Sequence, residues 1–224
     1  MRQSGMFKQM LSNLSPVVRA FLMLILGIHI VVLVISLISS SASDFIYLNF
    51  GLIPSTVLTH PWTVLTSVVL HERNGLLHLL FNGLALLSLG PWVERGLGQK
   101  RFVTLMLISA LSGSALYIIV QFLKGTPGTM VIGASGAVIG VLTAFALMFP
   151  EAELQLFGLT PLKAKNLIWL IIGIDIIVTI FGAGIASSAH FGGLLGAFAY
   201  IKRPWRPQYI ANMRRRLERL KSRL

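Results

Sequence analysis

The stretch 125–140, "GTPGTMVIGASGAVIG", decides how this chain is read. Its first part, with two glycines and a proline, reads as a loop. Its second part opens an apolar run that continues to Pro150. Ser135 stands at the junction, between Gly133 and Gly136, at the start of a predicted helix. A hydroxyl at the mouth of so apolar a helix, with almost no side-chain bulk around it, needs a reason.

The composition sets the surroundings. Of 224 residues, 55% are hydrophobic and 12% charged, and mean hydropathy is +0.80. Ordinary soluble domains carry roughly 25% charged residues. Several separate apolar runs approach the 17–25 or so residues that a spanning helix needs. The class is therefore an all-α integral membrane protein with one compact helical domain. Without cysteine, disulfides and thiol chemistry are excluded.

Six apolar segments are predicted, over 18–39, 76–93, 102–123, 135–149, 166–183 and 187–201. The first has the flanks of a signal peptide, but its apolar stretch exceeds the roughly 7–15 residues of a signal core, so it reads as a retained anchor. Residues 1–17 form a cytoplasmic arm, 18–201 the six-helix domain, and 202–224 a basic cytoplasmic tail. With the N-terminus inside, all but Arg73 and Lys124 of the 19 Lys and Arg fall on the inner side. The positive-inside rule thus fixes the orientation and an even number of spans. The tail has Leu217, Leu220 and Leu224 at helical spacing. It reads as an anchor on anionic lipid, so the net charge of +12 does not imply nucleic acid. Residues 40–75, with Phe45, Tyr47, Phe50, Trp62, Pro54 and Pro61, form a long interfacial loop on the outer side.

Polar residues inside spans are costly and mark function. His78 and Asn82, one turn apart, share a face of the second span. Ser135 opens the fourth, and His190 lies in the sixth. Counted from Glu94, Glu151 and Lys202 as inner ends, Ser135 and His78 lie about 24 Å deep, and Asn82 and His190 about 18 Å. Four polar groups from three helices thus share one layer below the outer face. Asp175, about 15 Å from Lys165, falls below it and reads as a structural hydrogen-bonding group, with a third catalytic member as the lesser alternative. The GxxxG pairs Gly136/Gly140 and Gly192/Gly196 let helix backbones approach closely, which predicts contact between the fourth and sixth spans. His29 and His60 have no assigned role; His71 lies near the mouth, placed to hold water.

Serine needs a base to become a nucleophile, and histidine has a suitable pKa. The charge that develops on a peptide carbonyl oxygen needs fixed donors. The Ser135 N–H, at a helix N-terminus, is one; His78 and Asn82 can supply others. Gly133 lets the approach loop turn, and the flanking small residues leave room for a substrate backbone. The G-x-S-x-G elbow of soluble hydrolases is not present, because Ala137 occupies its last position and no strand precedes the serine.

The motifs "GASG" around Ser135, "HLLFN" from His78 to Asn82 and "AHFGG" around His190, with "PWTVLTSVVLH" and "VERGLGQKRF" beside the second span, resemble the rhomboid intramembrane serine proteases over about residues 16–201. The resemblance implies a six-helix core that cleaves transmembrane protein substrates near their outer ends, without metal or cofactor. It implies Ser135 as nucleophile, His190 as general base, and His78, Asn82 and the Ser135 N–H as the oxyanion hole. Phe81 matches an aromatic beside the substrate path. Many members carry an aromatic four residues after the serine, against the histidine; here the position is Ile139. Glu94 and Arg95 match approximately the charged residues that the family uses structurally after its second span. The compact core resembles bacterial members, which implies a bacterial cytoplasmic membrane. Ser135→Ala and His190→Ala are each expected to abolish cleavage with the fold intact. A non-catalytic member that binds transmembrane clients is the alternative. A small transporter would show internal repeats or paired interrupted helices, and neither is evident. The oligomeric state, substrate and cleavage site are not legible.

Overall fold

The computed structural model describes residues 15–73, 75–154, 161–180 and 187–203. The predicted arm up to residue 14, the tail from 204 and residues 181–183 of the fifth segment lie outside them. The described residues are mostly helical: α1 (Pro16–Ile38), α2 (Ser40–Phe50), α3 (Thr63–Thr66), α4 (Leu76–Leu97), α5 (Gln99–Leu123), α6 (Ser135–Met148), α7 (Ala164–Ile180) and α8 (Ser187–Lys202). Three of these, α1, α4 and α5, are long and apolar enough to cross a membrane by length and composition. An antiparallel pair of two-residue strands, β1 (Glu153–Leu154) and β2 (Leu162–Lys163), joins α6 to α7. Beside it, exposed Glu151 is held at a pKa of about 2 by hydrogen bonds from Lys163 and Lys165, each at 2.8 Å.

α6 is the central helix. It packs against α4, α5, α7 and α8, and nine of its residues, from Ala137 to Ala146, are buried. The core joins Val141 and Phe145 to Val18 of α1, Leu86 and Val93 of α4, and Phe102 and Leu105 of α5. α1 lies outside this ring and exposes Met23, Leu26, Ile30 and Val34, while α7 exposes Trp169, Ile174, Ile177 and Ile180. Such faces suit lipid, which is as apolar as they are, and the chain is an integral membrane protein.

Three sequence expectations change here. The connection 40–75 is largely helical rather than a loop. α2, α3 and two 3-10 turns (Pro54–Thr56 and Ser67–Val69) fill most of it, because Ser39 caps α2 through the Ala42 N–H and the prolines break the chain only locally. α4 does not stop at 93. It runs through Pro91, whose missing N–H frees one carbonyl, and ends at Leu97 before Gly98, which has φ +81°. Glu94 does not mark a surface either. It is 2% exposed, and its carboxylate accepts from the Ser15 hydroxyl at 2.5 Å and from the Val17 and Val18 N–H groups at 3.1 and 3.0 Å. A carboxylate from α4 therefore satisfies the N–H groups that a helix start leaves free, and fixes α1 to the bundle.

The helical connection also builds the wall against which α6 begins. Leu52 pairs with Val131 as an isolated antiparallel bridge. The Ser55 N–H donates to the Pro127 carbonyl at 2.8 Å, and the Gly133 N–H to the Ser67 carbonyl at 2.9 Å. On its far side, Arg73 bonds Asp44 and Ser43 of α2, and the Tyr47 hydroxyl donates to the His71 carbonyl at 2.8 Å.

Candidate active site

α6 begins at Ser135 for local reasons. Gly133 has φ +120°, a conformation that residues with a Cβ rarely adopt. Its backbone also needs the space: a Cβ there would lie 2.7 Å from His78 Cε1. The chain turns at Gly133, and Ala134 accepts the first intrahelical bond, from the Val138 N–H at 2.9 Å. The N–H groups of the first turn then point away from the helix, where the helix dipole favours negative charge.

His190 lies one turn into α8. Its Nε2 is 2.8 Å from Ser135 Oγ, and its Nδ1 is 2.8 Å from Asp175 Oδ1. The ring is 12% exposed and the Asp175 side chain 7%. Glycines make the approach possible, although not in the pairing the GxxxG motifs suggested. Gly192 and Gly196 face α5, where added Cβ atoms would meet the Ser112 carbonyl at 2.3 Å and the Ser112 hydroxyl at 2.6 Å. Gly140 also faces α5, against Ser109. The contact between α6 and α8 runs through Gly193, whose Cβ would lie 2.2 Å from the Gly136 carbonyl oxygen. With three glycines in five positions, "GGLLG" offers α8 two close faces at once, and pair spacing alone does not say which partner each face meets.

The other predicted residues gather around the approach loop. His78 packs its ring on Gly133. Asn82 is buried, and its Nδ2 lies 3.3 Å from Nε2 of His71. The same Nε2 accepts, at 3.5 Å, from the N–H of Ala134, the residue before Ser135. Phe81 is 56% exposed on the outer face of α4. Gly136 packs on α8, with its Cβ position 3.4 Å from the Ala189 carbonyl. A cavity of about 30 Å³, room for one or two waters, lies beside Ser135 and is lined by Ser67, Gly113, Ser114, Gly133 and Ala189. Among the described residues no cluster of three His, Asp or Glu is arranged to hold a metal ion.

Two further residues of the site were not placed in its layer by the sequence. The depth count put Asp175 below the layer, yet it bonds His190. The two estimates differ by about 3 Å, less than one turn of about 5.4 Å, so helix tilt erases the distinction. His71, 1% exposed, sits between Asn82 and the start of α6. Burial first, and then the neighbouring His78 and His29, push its pKa down to about 4. It is therefore neutral near pH 7, and Nε2 is free to accept. No ring stacks on His190 among the described residues; Ile139 is a buried aliphatic.

Fold and site together define an all-α membrane protein with a half-buried serine–imidazole pair held between two helices. A family model described as "Rhomboid domain" matches residues 58–205. The chain is 33% identical over 137 residues to rhomboid protease GluP of Bacillus subtilis, covering 61% of this chain and 25% of that protein. It is 34% identical over 151 residues to RHOMBOID-like protein 5 of Arabidopsis thaliana, covering 66% and 46%. It is 31% identical over 138 residues to rhomboid protease GlpG of Photorhabdus laumondii, covering 60% and 44%. The matches thus span less than half the length of each relative. The chain belongs to the rhomboid family.

Proposed function

We propose that this chain is an intramembrane serine endopeptidase that cleaves transmembrane protein substrates near the outer side of the membrane. The observation that carries the reading is the 2.8 Å hydrogen bond between Ser135 Oγ and His190 Nε2 at the start of α6. His190 takes the hydroxyl proton as Ser135 attacks the scissile carbonyl, then delivers it to the leaving amine. The oxyanion is met by the Ser135 N–H, His78 and Asn82. Water then attacks the acyl-enzyme, with His190 again as base. The chemistry calls for no metal or cofactor.

α6 has 14 residues, about 20 Å against a hydrocarbon core of about 30 Å. Read as one of six spans (α1, α4, α5, α6, α7 and α8), it starts below the outer face, so water reaches Ser135 from outside while the substrate arrives sideways past α7. The positive-inside count supports cytoplasmic termini, and the basic residues after α8 suit anionic lipid. A bacterial cytoplasmic membrane is the proposed setting.

The test is cleavage of a panel of single-span proteins in proteoliposomes, with cut ends read by mass spectrometry. Wild-type protein should cut, Ser135→Ala should not, and a fluorophosphonate probe should label Ser135 alone. A folded wild-type protein that neither cuts nor labels would leave the client-binding reading in place.

A further inference from the structure

We infer that Asp175 is a positioning residue, whose carboxylate reaches from α7 to fix the tautomer and ring orientation of His190. The inference rests on the proteolytic reading and deepens it, turning the dyad into a line of hydroxyl, imidazole and carboxylate drawn from three helices.

A neutral imidazole carries one N–H, and an ionised carboxylate only accepts. At 2.8 Å from Asp175 Oδ1, Nδ1 therefore holds the proton. Nε2 is left as the acceptor, and it is Nε2 that lies 2.8 Å from the Ser135 hydroxyl. The opposite tautomer would present an N–H to Ser135 and could take no proton from it. The bond also fixes the ring, which is held at both nitrogens and has no aromatic partner among the described residues.

Asp175 is held for this task. It is 5% exposed, although the neighbours Ile174 and Ile176 are 51% and 49% exposed, so it alone of this stretch turns inward. Its backbone carbonyl accepts from Thr179 Oγ1 at 2.6 Å and from Ser187 Oγ at 3.4 Å, and Thr179 and Ser187 lie 2.7 Å apart. The last turn of α7 is thereby tied to the first residue of α8, and Asp175 is set against a ring three residues further on. A carboxylate in "IIGIDIIVTI" would be costly in a span without a partner. As the serine proton moves to Nε2, the carboxylate stabilises the imidazolium that forms, without itself taking the proton.

The experiment compares wild type, Asp175→Asn and Asp175→Glu in proteoliposomes for kcat and KM on one single-span substrate. Thermal unfolding is measured alongside, and ¹⁵N NMR of histidine-labelled protein reports the His190 tautomer. Asp175→Asn should lower kcat by roughly 10²- to 10⁴-fold with KM within about threefold, and should move the ring proton off Nδ1. Asp175→Glu should recover part of kcat. A folded Asp175→Asn protein with kcat within about threefold of wild type, or a wild-type His190 protonated on Nε2, overturns the inference. Should Asp175→Asn fail to fold, the wild-type tautomer and the Asp175→Glu kinetics decide the matter. Should wild type itself not cut, the proteolytic reading falls, and the tautomer alone still tests the positioning.

Discussion

Gly193→Ala tests whether backbone contact between α6 and α8 sets the Ser135–His190 distance. The added Cβ would sit 2.2 Å from the Gly136 carbonyl oxygen and 2.9 Å from its carbon. Both are backbone atoms adjoining Ser135 and cannot swing aside. Ordinary contact begins near 3.4 Å, so the helices must part by about 1 Å, a shift that interior packing does not absorb freely. Gly193 follows His190 by three residues, one turn along the same face. The 2.8 Å bond would therefore lengthen towards 4 Å, beyond the roughly 3 Å at which a hydroxyl donates well. A misplacement of about 1 Å can cost about 10²-fold, or about 2.7 kcal/mol of barrier. Stability should change less. Overpacking costs about 1–3 kcal/mol, and replacing a helical glycine returns up to about 1 kcal/mol. Cleavage kinetics in proteoliposomes, with an unfolding curve for each variant, measure both. Gly27→Ala in α1, where a Cβ meets nothing within 4 Å, is the control and should cut at the wild-type rate. A Gly193→Ala protein that cuts within about threefold of wild type would refute the reasoning.

Three further outcomes follow from the same geometry. Glu94→Ala strands the Ser15 hydroxyl and the Val17 and Val18 N–H groups; it should cost about 2–4 kcal/mol and lower the unfolding midpoint by roughly 10 °C, with Glu94→Gln milder. Gly133→Ala forces φ +120° on a residue with a Cβ and presses it on His78. It should slow cleavage at least about tenfold, whereas Gly125→Ala, at φ +70° with nothing within 4 Å, should leave the rate unchanged. His71, with a pKa lowered to about 4 by burial, binds a proton less readily folded than unfolded. Its contribution is complete above about pH 6.5 and is lost as pH falls towards 4. Unfolding midpoints between pH 7 and 4 should fall in wild type and flatten in His71→Gln.

How much of this was legible depended on whether a feature is local. Gly133, Ser135 and the helix that begins there follow from neighbours in sequence, and the start of α6 falls where the glycines put it. Hydropathy located α1, α4 and α5 because their runs are long. Tertiary pairing was not local. Glu94 looked like a surface charge because nothing beside it says that α1 delivers two free N–H groups to it. Asp175 and His190 meet across a distance that counting along two tilted helices cannot resolve. The "GGLLG" stretch fixed that α8 packs closely, but its division between α5 and α6 depends on helix rotation. The connection 40–75 was read as a loop because its prolines and aromatics are interfacial signals as well as helix breakers; Ser39 capping α2 was the clue against it.

Ser135→Ala and His190→Ala, equivalent from sequence, should part company in stability. Ser135→Ala deletes one hydrogen bond of a half-buried hydroxyl, about 1 kcal/mol, and leaves His190 bonded to Asp175. His190→Ala leaves the Asp175 carboxylate, 5% exposed, without the ring that it bonds, in an apolar helix. Removing one member of a buried pair costs about 3–5 kcal/mol, which for a chain of this size lowers the midpoint by roughly 10 °C or more. Both variants should be inactive, so activity cannot separate these costs, but a double-mutant cycle can. Adding Asp175→Leu to His190→Ala removes the stranded charge and should restore more than half of the lost stability, because the two losses share one cause and do not add. The cycle is measured by thermal unfolding in detergent. If His190→Ala unfolds with Ser135→Ala, and Asp175→Leu gives nothing back, then the carboxylate is not held by the ring, and the 2.8 Å contact is a proximity without energetic weight.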